Sequence, residues 1–375
     1  NIVMLKIGIT GQAGFVGTHL YNTLGLFPEE FERIDFQKEY FEDPNQLNEF
    51  VAQCDVIVHL AAMNRHNDPQ VIYDTNIGLV EKLIQSLDQT KSKAHVLFSS
   101  SSQEERDNLY GKSKKEGREL MIDWAEKAGG KFTGMIIPNV FGPFGHPNYN
   151  SVVATFCHKL AHNETPTIEV DGELKLIYVG ELVEAILSEI RKGKSNAELV
   201  IAHTSESKVS QLLSLLECYK AAYQDKGIIP SLNTTFELNL FNTFRCYMDI
   251  ANHFPVKFVE HTDPRGSFVE IIRLGVGGQV SFSTTVPSIT RGNHYHTRKI
   301  ERFAVIKGKA LIQLRRIGTD EVLDFYLDGA EPAYVDMPIW YTHNIKNIGE
   351  EVLYTNFWIN EFYDPNDPDT YFENV

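Results

Sequence analysis

Cysteine is scarce in this chain. The four present in 375 residues, Cys54, Cys157, Cys218 and Cys246, show no paired spacing. That excludes a disulfide framework and a cysteine-built metal site, and it predicts reduced packing residues. Long apolar runs are also missing. No window approaches the about 18 uninterrupted apolar residues that a membrane-spanning helix needs. The first residues lack the basic, then apolar, then small pattern of a secretory leader, so the expected location is cytoplasmic. Positive charge is in deficit: 35 Lys plus Arg stand against 50 Asp plus Glu, a formal net charge of -15. Such a chain is repelled at long range by nucleic acid and by anionic membranes, and only local basic pockets for a phosphorylated ligand stay open to it.

What the chain does have is enough apolar residue, 42%, for more than one core, and a length of 375 residues makes two domains the natural expectation. Residues 1–130 alternate short apolar runs with amphipathic stretches. Leu5–Thr10, Glu32–Phe36, Asp55–Ala61 and His95–Ser100 read as strands, Lys112–Ala128 as a helix, and Thr133–Pro138 as a further strand. This is the pattern of a parallel sheet covered by helices. Leu182–Lys192 and Val209–Tyr223 read as helices completing that domain. From about Phe254 the texture changes to period-two runs at Phe268–Arg273, Gln279–Thr285, Ala304–Arg315, Val322–Leu327 and Val352–Trp358, the mark of an all-β module. The expected domains are therefore 1–253 and 254–375.

Gly11, Gly14 and Gly17 follow the first strand and open the helical stretch beginning Phe15-Val16. Glycines there admit a pyrophosphate to the backbone and aim it at a helix N-terminus, although a tight strand-to-helix turn would use them equally. Farther on, Tyr110 and Lys114 stand four apart on one helix face. An ammonium at that distance is expected to lower the tyrosine pKa and ready the phenol for proton exchange.

The glycine spacing in IGITGQAGFVG resembles the TGxxGFxG signature of extended short-chain dehydrogenases acting on nucleotide sugars, and Tyr110-Gly-Lys-Ser-Lys114 resembles their YxxxK motif. The resemblance implies a Rossmann-type, doubly wound α/β domain binding NADPH, with NAD as the alternative. It places Leu60, Ala61 and Ala62 of DVIVHLAAMNR and Asn76 beside the cofactor, and makes Ser101 the partner of the reacting carbonyl, with Ser100 as the competitor. Dehydratases of the family carry Thr-Asp-Glu where this chain has Ser101-Ser102-Gln103, which leaves reduction or 4-epimerisation. Asp35 lies where an acid would bind the 2′-hydroxyl of NAD, while Arg33, Lys38 and Arg65 could approach a 2′-phosphate. Residues 147–161, PNYNSVVATFCHKLA, are expected to cap the sugar-nucleotide pocket.

In the second domain His294 and His296 point to one side of a strand, because successive side chains alternate faces. Glu301 falls on the other side unless Thr297-Arg298-Lys299 turns the chain. His343 follows in PIWYTHNIKN. Three imidazoles and a carboxylate suit zinc, with iron, nickel or manganese as other divalent ions. The spacing, with Gly308 after Glu301, resembles the two cupin motifs, although Trp340 stands where those usually have glycine. It implies an all-β cupin barrel. Asp263-Pro-Arg-Gly-Ser-Phe-Val-Glu270 and Thr290-Arg-Gly-Asn-His294 resemble deoxysugar epimerases, in which the histidine is the base. A lone pair cannot hold a metal and take a proton at once, so His294 is ligand or base.

Over its whole length the chain resembles bifunctional capsular-polysaccharide enzymes of the UDP-N-acetyl-L-fucosamine pathway, through the domain order and through PNYNSVVATFC, GNHYH and FYDPNDPDTYFENV. The resemblance implies C3 epimerisation of a UDP-2-acetamido-2,6-dideoxy-4-hexulose by the cupin domain. NADPH reduction at C4 follows, with Tyr110 as proton donor, to a UDP-N-acetyl-6-deoxy-L-talosamine-type product made by a homodimer. The alternatives are an NAD-dependent nucleotide-sugar 4-epimerase with a regulatory cupin, and a non-catalytic sugar-nucleotide or metal sensor.

Overall fold

The computed structural model describes residues 3–149 and 151–375. They pack as two compact units, one of residues 1–155 with 170–209, the other of 156–169 with 210–375.

The first unit is built on β1 (Leu5–Thr10), α1 (Phe15–Leu24), β2 (Phe31–Ile34), α2 (Pro44–Gln53), β3 (Val56–His59), α3 (Pro69–Gln89), β4 (His95–Ser101), α4 (Leu109–Ala128) and β5 (Lys131–Ile137). It continues through β6 (Asn139–Phe141), the start of α5 (Val152–Ala161), β7 (Glu173–Tyr178), α6 (Val179–Lys192), β8 (Asn196–Val200) and β9 (Ser205–Lys208). Six strands form one sheet in the order β2-β1-β3-β4-β5-β8, and every neighbouring pair is parallel. A parallel sheet is buried on both faces, which is why β3, Val-Ile-Val-His, is buried at all four positions. Leu20 and Leu24 of α1 with Leu182 and Ile186 of α6 cover one face. Phe50 of α2, Leu83 of α3 and Trp124 of α4 cover the other. Because β1 lies between β2 and β3, the winding reverses there, and the carboxyl ends of β1 and β3 flank the crevice in which such sheets bind ligands.

The second unit carries α7 (Val209–Tyr219), α8 (Thr235–Cys246) and α9 (Ile250–His253), then β10 (Val256–Lys257), β11 (Glu260–Asp263), β12 (Gly266–Val269), β13 (Gln279–Thr285), β14 (Thr290–Tyr295) and β15 (Glu301–Lys307). After these come β16 (Lys309–Arg316), β17 (Val322–Asp328), β18 (Ala333–Met337), β19 (Tyr341–Asn347), β20 (Leu353–Ile359) and β21 (Tyr371–Phe372). Two five-stranded sheets, β10-β18-β15-β20-β13 and β17-β16-β19-β14-β21, are antiparallel throughout. They share one core, in which Phe303, Val305 and Val335 of the first meet Ile312, Leu314 and Phe325 of the second.

Three features differ from the sequence reading. The run Ala304–Arg315 is two strands, because Gly308, at φ +92°, turns β15 into β16. Strand structure in Phe268–Arg273 stops at Val269. The packing boundary also lies before 253/254, since the helices of 210–253 are tied to the β unit. Tyr223 donates to Asp336 at 2.7 Å, Arg245 to the Met337 carbonyl at 3.1 Å, and Asn242 to the Arg298 carbonyl at 2.9 Å.

Candidate functional site

The glycine turn of the first unit has the geometry its spacing suggests. Gly11 sits at φ +74°, and a Cβ on Gly17 would stand 2.1 Å from the Gly11 carbonyl oxygen, so no side chain fits there. Gly14 is the N-cap of α1 and brings no side chain to cap it. The first backbone N–H groups of the helix, from Phe15 and Val16 on, are therefore left to an anion. The end of β3 is held against this turn. The Thr10 hydroxyl oxygen accepts from the N–H groups of Leu60 at 3.1 Å and Ala61 at 3.3 Å, and pairs with His59 Nδ1 at 2.7 Å. Burial holds His59 down to about 3, helped by the Lys114 charge, so its imidazole is neutral.

Asn76 is a brace. Its side chain exchanges hydrogen bonds with the Met63 N–H and carbonyl at 2.7 and 3.1 Å and donates to Ser113 on α4 at 3.1 Å. That fixes the loop running from Ala61 and Ala62 to α3. Asp35, just past β2, is exposed and accepts from Gln37 at 2.9 Å. Arg33 is committed elsewhere, stacked 4.3 Å from the Tyr21 ring and donating to the Tyr21 carbonyl, and Arg65 donates to the Asn148 carbonyl. Of the expected pocket cap, Asn150 lies outside the described residues, while Tyr149 comes close enough for its charge to raise Tyr110.

Ser101, Tyr110 and Lys114 are brought together by β4 and α4. The Ser101 hydroxyl lies near enough to Tyr110 to favour the ionised phenol, and it accepts the Gln103 N–H at 3.1 Å. Ser100 is taken out of contention: it donates to Glu104 at 2.7 Å, and Glu104 is clamped by two nitrogens of Arg118 at 2.7 and 3.1 Å. Glu104 is thus a buried, paired acid, unlike the acid pair of a dehydratase. The structure corrects the expected tuning of the tyrosine. Burial raises the Tyr110 pKa, the Ser101 hydroxyl opposes this, and Lys114, 5.9 Å from the ring centre, does not reverse it. Lys114 itself is fully buried, donates to the Ser99 carbonyl at 2.8 Å, and is pushed by burial down to about 8. At neutral pH the set holds a protonated phenol beside an ammonium, which is a proton donor's configuration.

In the second unit the donor atoms of His294, His296, Glu301 and His343 all lie within 4.8 Å of one another. A bulge in β14 between Gly292 and His294, with Asn293 at φ +61°, sets His294 opposite His343 on β19. The turn at residues 297–299 then returns the chain so that Glu301 opens β15. His296 Nε2 lies 2.9 Å from Glu301 Oε2, and His343 Nε2 lies 3.7 Å from Glu301 Oε1. Burial alone would raise Glu301, but its hydrogen bond with His296 and the nearby His343 imidazole outweigh it and hold the carboxyl far below its ordinary range. Burial also disfavours the His296 cation, and the Glu301 hydrogen bond overcomes this and raises its pKa. His294, the part-exposed member, is lowered to about 4, mainly by burial and then by His343.

A divalent ion fits this set. His343 is fully buried and neither ring nitrogen has a hydrogen-bond partner, an arrangement costly for an imidazole and relieved by a metal. The sequence reading missed what holds the set: Asp369, whose carbonyl oxygen lies 2.6 Å from His296 Nδ1. Its only sequence signal was its place in the DPNDPDT stretch.

Comparison with known proteins agrees with both halves. Residues 7–202 match the family model described as the NAD dependent epimerase/dehydratase family, and residues 261–371 match the polysaccharide biosynthesis C-terminal domain. The UDP-2-acetamido-2,6-beta-L-arabino-hexul-4-ose reductase of Pseudomonas aeruginosa is 32% identical over 98% of each chain. The crystal structure of the capsular polysaccharide assembling protein CapF from Staphylococcus aureus is 34% identical, covers 99% of this chain and 100% of its own, and superposes with a TM-score of 0.63. RMD from Pseudomonas aeruginosa complexed with NADPH, 20% identical over 58% of this chain and 82% of its own, shares the fold at a TM-score of 0.52. The family model covers more than half of the 375 residues and the reductase relative aligns end to end, so this chain belongs to the NAD dependent epimerase/dehydratase family, in the form that carries a polysaccharide biosynthesis C-terminal domain.

Proposed function

We propose that this chain is a bifunctional UDP-sugar enzyme. Its β unit, read as a cupin, inverts C3 of a UDP-2-acetamido-2,6-dideoxy-4-hexulose, and its Rossmann-like unit reduces the C4 ketone. The product is of the UDP-N-acetyl-6-deoxy-L-talosamine type. The observation that carries this reading is the coexistence, in a chain aligned end to end with a hexulose reductase, of a Ser101–Tyr110–Lys114 set and a four-donor His/Glu cluster. The catalytic division is taken at 253/254, while the helices of 210–253 brace the β unit.

A ketone at C4 acidifies the C3–H bond. His294, part-exposed and neutral, is the group that takes this proton, and inversion is completed when a second acid delivers a proton to the opposite face of the enolate. His296, Glu301 and His343 would hold the ion, with His294 as a fourth donor while no substrate is bound. A divalent ion such as zinc supplies Lewis-acid polarisation of the neighbouring oxygen when present. In the other unit Ser101 donates to the C4 oxygen, and Tyr110 delivers the proton that turns it into a hydroxyl. The β1 turn and the end of β3 would hold a nicotinamide cofactor, which would supply the hydride when bound. The resemblance implies NADPH. The exposed Asp35 carboxylate and the engaged Arg33 favour NADH.

The partner expected besides the UDP-sugar is a second copy of the chain. Support comes from β13, an edge strand whose Val280 and Phe282 are 62% and 71% exposed while Ser281 and Ser283 are half-buried on the other face. It lies within residues 274–290, which contain no charged side chain in a chain of net charge -15. An uncharged apolar edge is where two like-charged copies can meet.

Incubation of the protein with the 4-keto sugar in D₂O, without reductant, tests the epimerase half. Deuterium should enter at C3, and addition of NADPH or NADH should then consume one reductant per sugar. Without exchange the epimerase assignment fails. Inversion of a UDP-sugar that carries a C4 hydroxyl, on bound NAD and with no reductant consumed, would instead establish the 4-epimerase alternative.

A further inference from the structure

Asp369 makes more hydrogen bonds to the metal-type loop than any ligand in it, although it lies 73 residues beyond His296. Its carboxylate accepts the N–H groups of Thr297 at 3.0 Å, Arg298 at 2.9 Å and Lys299 at 3.2 Å, and the Thr297 hydroxyl at 2.7 Å. Its own carbonyl accepts from His296 Nδ1 at 2.6 Å. The residue is 2% exposed and its backbone stands at φ +43°, a conformation that an aspartate holds only when its surroundings insist on it. Neighbouring contacts bind the same segment to the same loop. Lys299 Nζ donates to the Pro368 carbonyl at 2.6 Å, and Arg298 pairs with Glu361 and Asp367. The Glu373 N–H donates to the Asn293 carbonyl at 3.0 Å, which places the segment on the bulge that orients His294. Tyr371 and Phe372 pair with Tyr295 and His294 along β14.

We infer that Asp369 is the positioning residue of the metal centre, and that the strap 361–375 assembles the site from outside its own loop. This rests on the metal reading given above. The chemistry follows from the two ends of the residue. A carbonyl can only accept, so His296 must carry a proton on Nδ1; Nε2, which faces Glu301 at 2.9 Å, is then the nitrogen an ion would take in place of its proton. The carboxylate gathers three consecutive N–H groups into an anion-holding turn, and that turn is what carries the chain from the His296 face of β14 round to Glu301. Without it, the two donors on either side of residues 297–299 lose their fixed separation.

Zinc affinity of the full chain, measured by competition with a chromophoric chelator, tests this. Asp369→Asn keeps the shape and the carbonyl but replaces one acceptor oxygen, and it should weaken zinc binding by about tenfold or more. The metal-free variant should still melt cooperatively, and NADPH oxidation with an already epimerised 4-keto sugar should stay at the parent rate. Thr297→Val removes a single bond to Asp369 and should give a smaller loss of the same sign, so the inference stays open to refutation even if the aspartate variant folds poorly. Affinity within twofold of the parent in whichever variant folds overturns it. Should the parent chain bind no divalent ion, the metal reading fails separately. The positioning role is then decided by amide hydrogen exchange: Thr297, Arg298 and Lys299 N–H groups protected in the parent and exchanging faster in Asp369→Ala uphold it, and equal protection in both rejects it.

Discussion

The Lys114 ammonium donates to the Ser99 carbonyl at 2.8 Å while standing 5.9 Å from the Tyr110 ring. The lysine is therefore anchored to the end of β4, and it acts on the tyrosine at a distance. Burial has lowered its pKa to about 8, whereas burial has raised that of Tyr110. Lysine is a cation below its pKa, so it is the first of the pair to lose a proton as pH rises. Reduction should be level near neutrality and fall as pH passes through about 8. Lys114→Met should remove that limb and leave a lower, flatter profile. A profile of kcat/KM against pH that holds level to about pH 10, the ordinary range of a tyrosine, in the parent chain would contradict this assignment.

Ser100 and Ser101 are neighbours with different obligations, one bonded to Glu104 and the other set beside Tyr110. Ser101→Ala removes a donor to the reacting oxygen, and kcat for reduction should drop about a hundredfold, the scale of losing one such donor. Ser100→Ala should stay within a few fold, because Arg118 still holds Glu104 through two bonds. Steady-state reduction kinetics on both variants decide the matter, and equal losses would return Ser100 to candidacy.

Much of this was legible in the sequence because the relevant chemistry is local. The β1 turn is fixed by Gly11 and Gly17, where a side chain would be strained or would clash, and Tyr110 and Lys114 share a helix face through spacing alone. Strand β13 was read to the residue, since alternation over seven positions leaves little freedom. Other features depend on partners far along the chain. Nothing in Ser100-Ser101 tells which hydroxyl meets Glu104, because that depends on Arg118 on the next helix. The fall in Lys114 pKa and the rise in Tyr110 come from burial, a property of the whole fold. Asp369 reaches its loop across some 70 residues, a separation that local pattern cannot bridge. The packing of 210–253 with the β unit is likewise written in Tyr223, Asn242 and Arg245, polar residues whose partners lie about 55 to 115 positions away.

Asp35 sets the expected choice between the two nicotinamide cofactors. Its carboxylate suits a ribose hydroxyl and opposes a 2′-phosphate, while Arg33 is stacked on Tyr21. The ratio of kcat/KM for NADH over NADPH should exceed one. Asp35→Ala should move that ratio toward NADPH by about tenfold or more, because like charges a few ångströms apart in partial water cost on the order of 1–4 kcal/mol. An unchanged ratio would show that Asp35 does not face the ribose.

The four donors of the second unit should separate by role. His343 is buried with both nitrogens unpartnered, so an ion answers its need and its removal leaves a gap in the ligand set. His343→Ala should lower zinc affinity more than about a hundredfold, a loss beyond that usual for a supporting residue. The melting temperature, which zinc at a hundred times its Kd raises in the parent chain through about 2.7 kcal/mol of binding linkage, should then no longer respond to zinc. His294 is the part-exposed member and is neutral at neutral pH, with its pKa lowered to about 4. His294→Gln should keep zinc binding at reduced strength while abolishing deuterium exchange at C3. The two assays pull apart only if one histidine binds and the other reacts. If His294→Gln lost zinc as completely as His343→Ala, its place would be among the ligands, and the base would have to come from elsewhere in the pocket.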